Sequence, residues 1–395
     1  MNKYLCKLTL AAVCMLTSVQ VMSQVLFSGD EVKYRIPAIV QCKSGKIIAF
    51  TDHRYQGSDV GWGNRLDIVM KTSTNGGKTW SSPEQMVAQG GGAADSFDCA
   101  HGDAAVVVDR ESGQLLMMCA SGGVSYWDSR RPNPLRMGRY YSSDEGKTWH
   151  GGEVTKEVYA LIPDAEAAFF TSGRICQSSK IKVGTHYRIY SVLCTRVGNR
   201  VVYSDDFGRN WKLLGDNAAD AAPKGDEAKV EELPDGSVLL SSRIASGRLF
   251  NVFTYTNKSA AAGRWADVVF SSAQGNGIAA SKNACNGEVV LAKAKKNGKK
   301  TLLLLQSVPL GPERSHVAIF YKELKSPADY STPKAIATGW EGCYQVTEAT
   351  SAYSTMIQHK KGDILFLMEE NGKADHYDIT FRKLSLAQIT GNKYK

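Results

Sequence analysis

"SSDEGKTW", residues 142–149, is the central copy of a pattern that occurs three times. The others are "STNGGKTW" at 73–80 and "SDDFGRNW" at 204–211. The shared form is S-x-D-x-G-x-T-W, with Asn75 for Asp in the first copy and Asn210 for Thr in the third. Each part has a mechanical reading. Ser and Asp side chains bond backbone groups within a turn, and Gly supplies a positive φ. Trp folds back as an apolar plug. Each copy follows a strand-like run ("LDIVMKT", "RMGRYYS", "NRVVYS"), so each marks the tip of a β-hairpin.

The copies start 69 and 62 residues apart. Apolar runs such as "GKIIAF", "DAAVVVD", "QLLMMCAS", "HYRIYSVLCT", "GSVLLSSR", "KTLLLLQSV", "DILFLME" and "HYDITFRKL" add further strands, with Gly and Pro between them. Helical periodicity is scarce; "SLAQIT" near the C-terminus reads as one short turn. Repeats of this size, each a few antiparallel strands, predict an all-β fold. That fold is a six-bladed β-propeller of four-stranded antiparallel blades with Asp-box hairpins. A β-sandwich or a solenoid is the alternative.

Residues 1–23 read as a secretory signal peptide: Lys3 and Lys7, then an uncharged apolar run, then Val21-Met22-Ser23 as cleavage site. The expectation is an exported chain, periplasmic or extracellular, with residues 24–395 forming one domain. No second apolar stretch is long enough to span a membrane. The formal charge is +9, or +7 without Lys3 and Lys7, which favours anions without choosing among them. "KAKKNGKK" at 293–300 reads as a solvated hairpin turn, and no nucleic-acid partner is expected. The seven cysteines from Cys42 to Cys343 are scattered, without a CxxC pair. They predict neither a zinc site nor a disulfide scaffold, but small buried residues. His101 and His186 stand alone and read as structural. No metal and no cofactor are expected.

One residue breaks the apolar logic. In "VKYRIPAIVQC", residues 32–42, Arg35 interrupts a run that reads as a buried strand. A buried guanidinium must be paired or functional, because an unpaired buried charge costs several kcal/mol.

Arg35-Ile36-Pro37, followed by the repeated boxes, resembles the bacterial sialidases (neuraminidases) of glycoside hydrolase family 33, which are six-bladed propellers. The resemblance runs from about Leu26 to about Leu386. It implies an exo-α-sialidase that removes terminal sialic acid from glycoproteins, gangliosides and oligosaccharides with retention of configuration, acting as a monomer. The family holds the substrate carboxylate with three arginines. By motif these are Arg35, Arg243 after "DEAKVEELPDGSVLLSSR", and Arg314 in "GPERSHVAIFYKE". Guanidinium groups suit the task because they stay charged and bind carboxylates through forked hydrogen bonds. Glu369, in "DILFLMEE", matches the family's partner for the first arginine.

The resemblance places the nucleophile at Tyr353 in "SAYSTM". Sialidases depart from the two-carboxylate scheme of other glycosidases. A neutral phenol avoids repulsion by the substrate carboxylate, but with an ordinary pKa of about 10 it needs a base. That base is matched to Glu227, sixteen residues before Arg243, with Glu231 as the rival. The acid/base is matched to Asp59, following Arg54 in "TDHR", and partial burial is expected to raise its pKa. Thr51 in that motif replaces a commoner Ala, with no consequence expected. Arg54 and Asp103 match contacts to the sugar's 4-position, and Tyr126 or Trp127 would line an N-acetyl pocket. Three alternatives stay open: a non-catalytic sialoglycan-binding propeller, a trans-sialidase or anhydro-product variant, and an unrelated Asp-box scaffold.

Overall fold

The computed structural model describes residues 23–30, 32–56, 58–215, 220–373 and 376–395. Apart from Ser23, the expected signal peptide lies outside the described residues. Among the described residues the strands form five sheets, all antiparallel except one short parallel contact between Gly173–Arg174 and His101–Val108. The eight-stranded sheet carries both ends of the chain. Lys33–Gln41, Ile47–Arg54, Leu66–Ser73 and Gln85–Ala88 form one meander in it. Ser351–Gln358, Ile364–Lys373 and His376–Leu384 form the other, with Gln24–Phe27 paired to His376–Leu384. Among the described residues a single ladder pair, Tyr34 with Tyr377, joins the two as one sheet.

Each remaining sheet is built on a consecutive meander. The second runs His101–Val108, Leu115–Ser121, Arg136–Ser142, His150–Glu153. The third centres on His186–Thr195 and Gly198–Ser204; the fourth on Ala228–Glu232, Val238–Ile244 and Gly247–Asn257. The fifth runs Val289–Lys296, Lys299–Pro309, Val317–Glu323, Gly342–Gln345. The C-terminal turn expected from "SLAQIT" is the helix Leu386–Ile389, capped by Ser385. The helices Thr155–Leu161 and Pro333–Ala337 have no counterpart in the sequence reading, because each is too short to show a 3.6-residue period.

The core lies between neighbouring meanders. Ala38, Phe50 and Met70 pack with Val106 and Met117, and Leu116 and Met118 pack with Ile189 and Val202. Val230 and Leu240 pack with Tyr190 and Val201, and Leu239 and Phe250 with Val289 and Leu304. Leu303 and Ile319 pack with Phe366 and Met368, while Leu365 and Phe381 return to Ile39 and Ala49. Such mutual burial is the main favourable contribution to folding. Six cysteines are buried free thiols within this packing; Cys343 is exposed.

The three octapeptides fold alike. The Ser73, Ser142 and Ser204 hydroxyls accept from the Gly77, Gly146 and Gly208 N–H groups at 3.0, 2.8 and 2.8 Å. Asn75, Asp144 and Asp206 accept from the backbone four residues on, at 3.0, 3.0 and 2.8 Å. The glycines have φ of +85°, +83° and +79°. A Cβ on Gly77 would meet Phe381 at 2.4 Å, one on Gly146 would meet Ile48 at 3.0 Å, and one on Gly208 would meet Leu116 at 2.4 Å. Each turn is thus pressed onto the preceding meander. Trp80 against Phe381 and Trp149 against Phe50 extend the same contacts. The octapeptide joins one meander to the next as well as closing its own hairpin.

That reading separates backbone strain from packing. Gly298 has φ +79° like Gly208, but a Cβ there would meet nothing within 4 Å. Gly298→Ala should cost only the left-handed penalty, on the order of 1–2 kcal/mol. Gly208→Ala should cost that plus an overpacking cost of about 1–3 kcal/mol. Urea-unfolding midpoints of the two variants check this; equal losses would show that the turn does not hold the neighbouring meander.

Candidate active site

The strand Lys33–Gln41 is bulged between Arg35 and Ala38. Ile36 takes φ +57°, a region that β-branched residues avoid, and Pro37 has no N–H to pair. The bulge leaves Arg35 opposite Asp52 of the next strand and at the wall of a cavity of about 540 Å³. The Thr51 hydroxyl donates to the Arg35 carbonyl at 2.7 Å, so Thr51 supports the bulge, contrary to the expectation that it has no consequence. Glu369, 0% exposed, completes it. It accepts from Arg35 Nε at 2.8 Å, Arg35 Nη2 at 3.3 Å, the Ile36 N–H at 2.7 Å and the Tyr353 N–H at 3.1 Å. Burial disfavours the Arg35 charge, but Glu369 outweighs it and raises the pKa further.

The cavity brings together Arg35, Arg54, Asp59, Asp103, Glu227, Arg243, Arg314 and Tyr353. Glu369 stands behind Arg35. At the centre the Tyr353 phenol donates to Glu227 Oε2 at 2.7 Å and accepts from Arg243 Nη1 at 3.0 Å. Arg243 Nη1 also donates to Glu227 at 2.6 Å, and its Nε faces Asp226 at 3.3 Å. The guanidinium carbons of Arg35 and Arg314 each lie 5.7 Å from the Tyr353 ring centre. The buried Nε of Arg314 has no hydrogen-bond partner among the described residues. Glu231, the rival to Glu227, is bound to Arg174 at 2.6 Å and does not line the cavity.

Electrostatics divides the groups into kinds. Burial, then the Glu227 charge, pushes the Tyr353 phenol well above its ordinary value, against the pull of Arg243. Burial also raises Glu227, although Arg243 opposes it. A phenol so placed stays protonated at neutral pH and loses its proton only to a base already in contact with it. Asp103, φ +58° on a second bulge, is raised well above the carboxylate range by burial and by the Asp59 and Asp52 charges. It is suited to donate a hydrogen bond. Asp52 is pushed up to about 7 by burial, and its carboxylate binds Arg54 at 3.0 Å and the Asp103 N–H at 3.1 Å.

Asp59 corrects one expectation. Its side chain is 63% exposed instead of partly buried, because it rises on the loop after the strand Ile47–Arg54 and is held by Arg54 at 3.0 Å and by its own neighbour's N–H, that of Val60, at 2.9 Å. Tyr126 and Trp127 do line the cavity, near its mouth. Sequence reasoning missed Asp226, Trp62, Arg196 and Tyr377. Tyr377 faces the Arg35 guanidinium at 4.9 Å from the far end of the chain, and nothing local in "HYDITFRKL" signals it.

Comparison with known proteins points one way. Residues 66–366 match the BNR repeat-like domain. The chain is 31% identical over 224 residues to a sialidase of Micromonospora viridifaciens, a stretch covering 53% of this chain and 32% of that one. It is 29% identical over 233 residues to a sialidase of Bacteroides fragilis (strain YCH46), covering 55% and 41%. The chain therefore spans well under half the length of these curated relatives. Among solved structures, a Hadza microbial sialidase superposes with a TM-score of 0.71 at 22% identity, covering 93% of this chain and 69% of that one. A leech intramolecular trans-sialidase gives 0.72 at 18%, covering 95% and 72%. These likenesses agree with the all-β fold and with the resemblance first seen at Arg35 and the octapeptides, and the chain belongs to the BNR repeat-like domain family, with relatives of the bacterial sialidase type.

Proposed function

We propose that this protein is an exo-α-sialidase that cleaves terminal sialic acid from glycoproteins, glycolipids and oligosaccharides through a tyrosine nucleophile. One observation carries the reading: the Tyr353 phenol, bonded to Glu227 at 2.7 Å, is ringed by three guanidinium groups, and Arg314 Nε lacks a protein partner among the described residues. A pocket in which one guanidinium, that of Arg314, lacks an acidic partner among the described residues, beside a base-coupled phenol, suits a sugar that carries a carboxylate at its reacting carbon. Arg35, Arg243 and Arg314 bind that carboxylate. Glu227 takes the phenolic proton as the Tyr353 oxygen attacks the anomeric carbon. Asp59 gives its proton to the leaving glycosidic oxygen, and then takes one from the water that cleaves the tyrosyl–sugar bond, returning the phenol. Arg54 and Asp103 hold the sugar's 4-position. Two displacements at one carbon retain configuration. The scaffold we infer is a six-bladed propeller, supported by apolar clusters that join each meander to the next and the last to the first. Export of the chain remains part of the proposal.

Intramolecular trans-sialidases share this fold, so the first product decides the reaction. NMR of an α-sialoside digest should show free α-sialic acid before mutarotation; an anhydro sugar would mark the intramolecular transfer instead. Tyr353→Phe removes the nucleophilic oxygen and spares the arginines. Its kcat should fall at least about 10²-fold while binding of sialic acid persists. Near-wild-type turnover would reject the mechanism.

The pH profile tests the base. Glu227 must be ionised to accept the proton, and its pKa lies above the ordinary glutamate value of about 4.3. Activity should therefore fall as the pH drops through a limb above that value. Asp52, at about 7, titrates on the same side. The limb should survive in Asp52→Asn; its disappearance there would assign it to the Asp52–Arg54 pair.

A further inference from the structure

The lysine-rich hairpin at 293–300 reads in the sequence as a solvated turn, but the fold gives it neighbours that the sequence does not show. Lys293, Lys295 and Lys300, on the strands Val289–Lys296 and Lys299–Pro309, line a groove of about 880 Å³. Lys361, in the loop between Ser351–Gln358 and Ile364–Lys373, lines it too, and so does Lys395. All five are exposed. None has an acidic partner within 4 Å among the described residues. Nearby lysines do. Lys296 binds Glu323 at 2.9 Å, and Lys383 binds Asp363, an acid that also lines the groove, at 3.2 Å.

The charges work against the sheet that carries them. Lys295 stands opposite Lys300 in the ladder, and Lys296 opposite Lys299. Like charges so placed destabilise an antiparallel pair. The backbone around them is nonetheless fixed. The Gln358 side chain exchanges two hydrogen bonds with the Lys293 backbone, both at 2.8 Å, which ties this hairpin to the next meander. Lys295 and Lys395 exchange two more through their backbones, at 2.5 and 2.9 Å. Cations gathered from three segments and left without counter-charge attract a polyanion.

The groove is separate from the cavity that holds Tyr353, and the two share no lining residue. Tyr353 stands near one end of Ser351–Gln358, and Lys361 lies beyond the other. Five residues of strand put about 17 Å between Tyr353 and Gln358. The chemistry differs as well. The cavity gathers arginines, whose planar forks match a carboxylate, whereas the cations of the groove are all lysines. An ammonium is a point charge with no preferred plane, which suits the spread oxygens of a sulfate group. No aromatic ring lines the groove, so nucleic-acid bases have no platform on which to stack. A flat lipid surface cannot follow a recess. Leu302, Leu386 and Ala387 lie among the lysines and give the C–H faces of sugar rings an apolar contact. We propose that this groove binds a sulfated polysaccharide, with its five lysines facing the sulfate groups. The inference goes beyond the sialidase reading and does not depend on it.

Heparin is the probe. It should bind the full chain, and its affinity should fall about tenfold or more in Lys295→Ala/Lys300→Ala, the loss expected when two lysines leave an anionic surface. Lys300→Glu sets opposite charges across the ladder at Lys295. It should weaken heparin binding by a similar factor without lowering the melting temperature, so that unfolding does not account for the loss. Arg314→Ala should bind heparin as the wild type does. Desulfated heparin, which keeps its carboxylates, should not bind. Heparin affinity that is unchanged in Lys300→Glu, or lost in Arg314→Ala, overturns the proposal. So does equal binding of desulfated heparin, of a DNA duplex or of phosphatidylserine vesicles.

Discussion

The carboxylate of Glu369 is the constraint on which the pocket depends. It is fully buried, and it accepts four hydrogen bonds from two other strands: from the Arg35 side chain and the Ile36 N–H on one, and from the Tyr353 N–H on the other. Ile364–Lys373 supplies the acceptor, Lys33–Gln41 the guanidinium, and Ser351–Gln358 the tyrosine. One interaction thus fixes the Arg35 guanidinium and the backbone of Tyr353 relative to each other. Removing it would leave Arg35 buried without its counter-charge, which costs about 3–5 kcal/mol in comparable pairs. It would also leave the Ile36 bulge without its hydrogen bond. The strained backbone at Ile36 persists because Glu369 and Thr51 hold it from two sides.

The same logic of compensation runs across the cavity. Arg35 has Glu369, Arg54 has Asp52 and Asp59, and Arg243 has Glu227 and Asp226. Arg314 alone of the four lacks an acidic partner within 4 Å among the described residues. Three guanidinium groups near Tyr353 would repel one another without these carboxylates. With all of them neutralised, they would have no affinity left for an anion. Leaving Arg314 unpaired gives the pocket an uncompensated charge, and burial of its Nε strengthens the preference for an anionic ligand over water. The pairing of Glu227 with both Arg243 and Tyr353 works against the effect of burial on its carboxyl. Burial raises Glu227 and Arg243 opposes that rise.

The repeated turns and the arginine positions were legible in the sequence because both are local patterns. Ser, Asp, Gly and Trp at fixed spacing make one turn, and Arg-Ile-Pro makes one bulge. The strands were legible from apolar runs such as "HYDITFRKL", whose bounds coincide with His376–Leu384. The resemblance placed the base at Glu227 with Glu231 as rival, and the structure shows what each one touches. The two glutamates are four residues apart, and only the path of the chain into Ala228–Glu232 decides which one reaches Tyr353 and which one reaches Arg174. The exposure of Asp59 and the strain at Trp62 were hidden for a related reason. Both lie in a loop whose conformation is set by contact with the Ser125 loop, some sixty residues away, and a one-dimensional pattern carries no sign of such contacts.

Positive-φ backbone occurs both in the repeated turns and at the cavity wall. The octapeptide turns repeat one hydrogen-bond pattern and hold Gly77, Gly146 and Gly208 at positive φ, each pressed on a neighbouring meander, with Glu145 and Phe207 also at positive φ in the second and third copies. The cavity wall holds Ile36, Trp62, Asp103 and Lys224 at positive φ, a region that the β-branched Ile36 and the bulky Trp62 resist most. Each such residue costs on the order of 1–3 kcal/mol. Sheets whose hairpins are joined to their neighbours can support that cost, because a local rearrangement at the cavity would have to disturb two packed meanders at once. Side chains that must point against their strand's natural direction, as Arg35 and Asp103 do at their bulges, then keep a fixed geometry in the absence of ligand. Preorganisation of this kind lowers the cost of ordering a cavity when a ligand binds. It ties the sequence pattern that fixes the fold to the geometry that the chemistry requires.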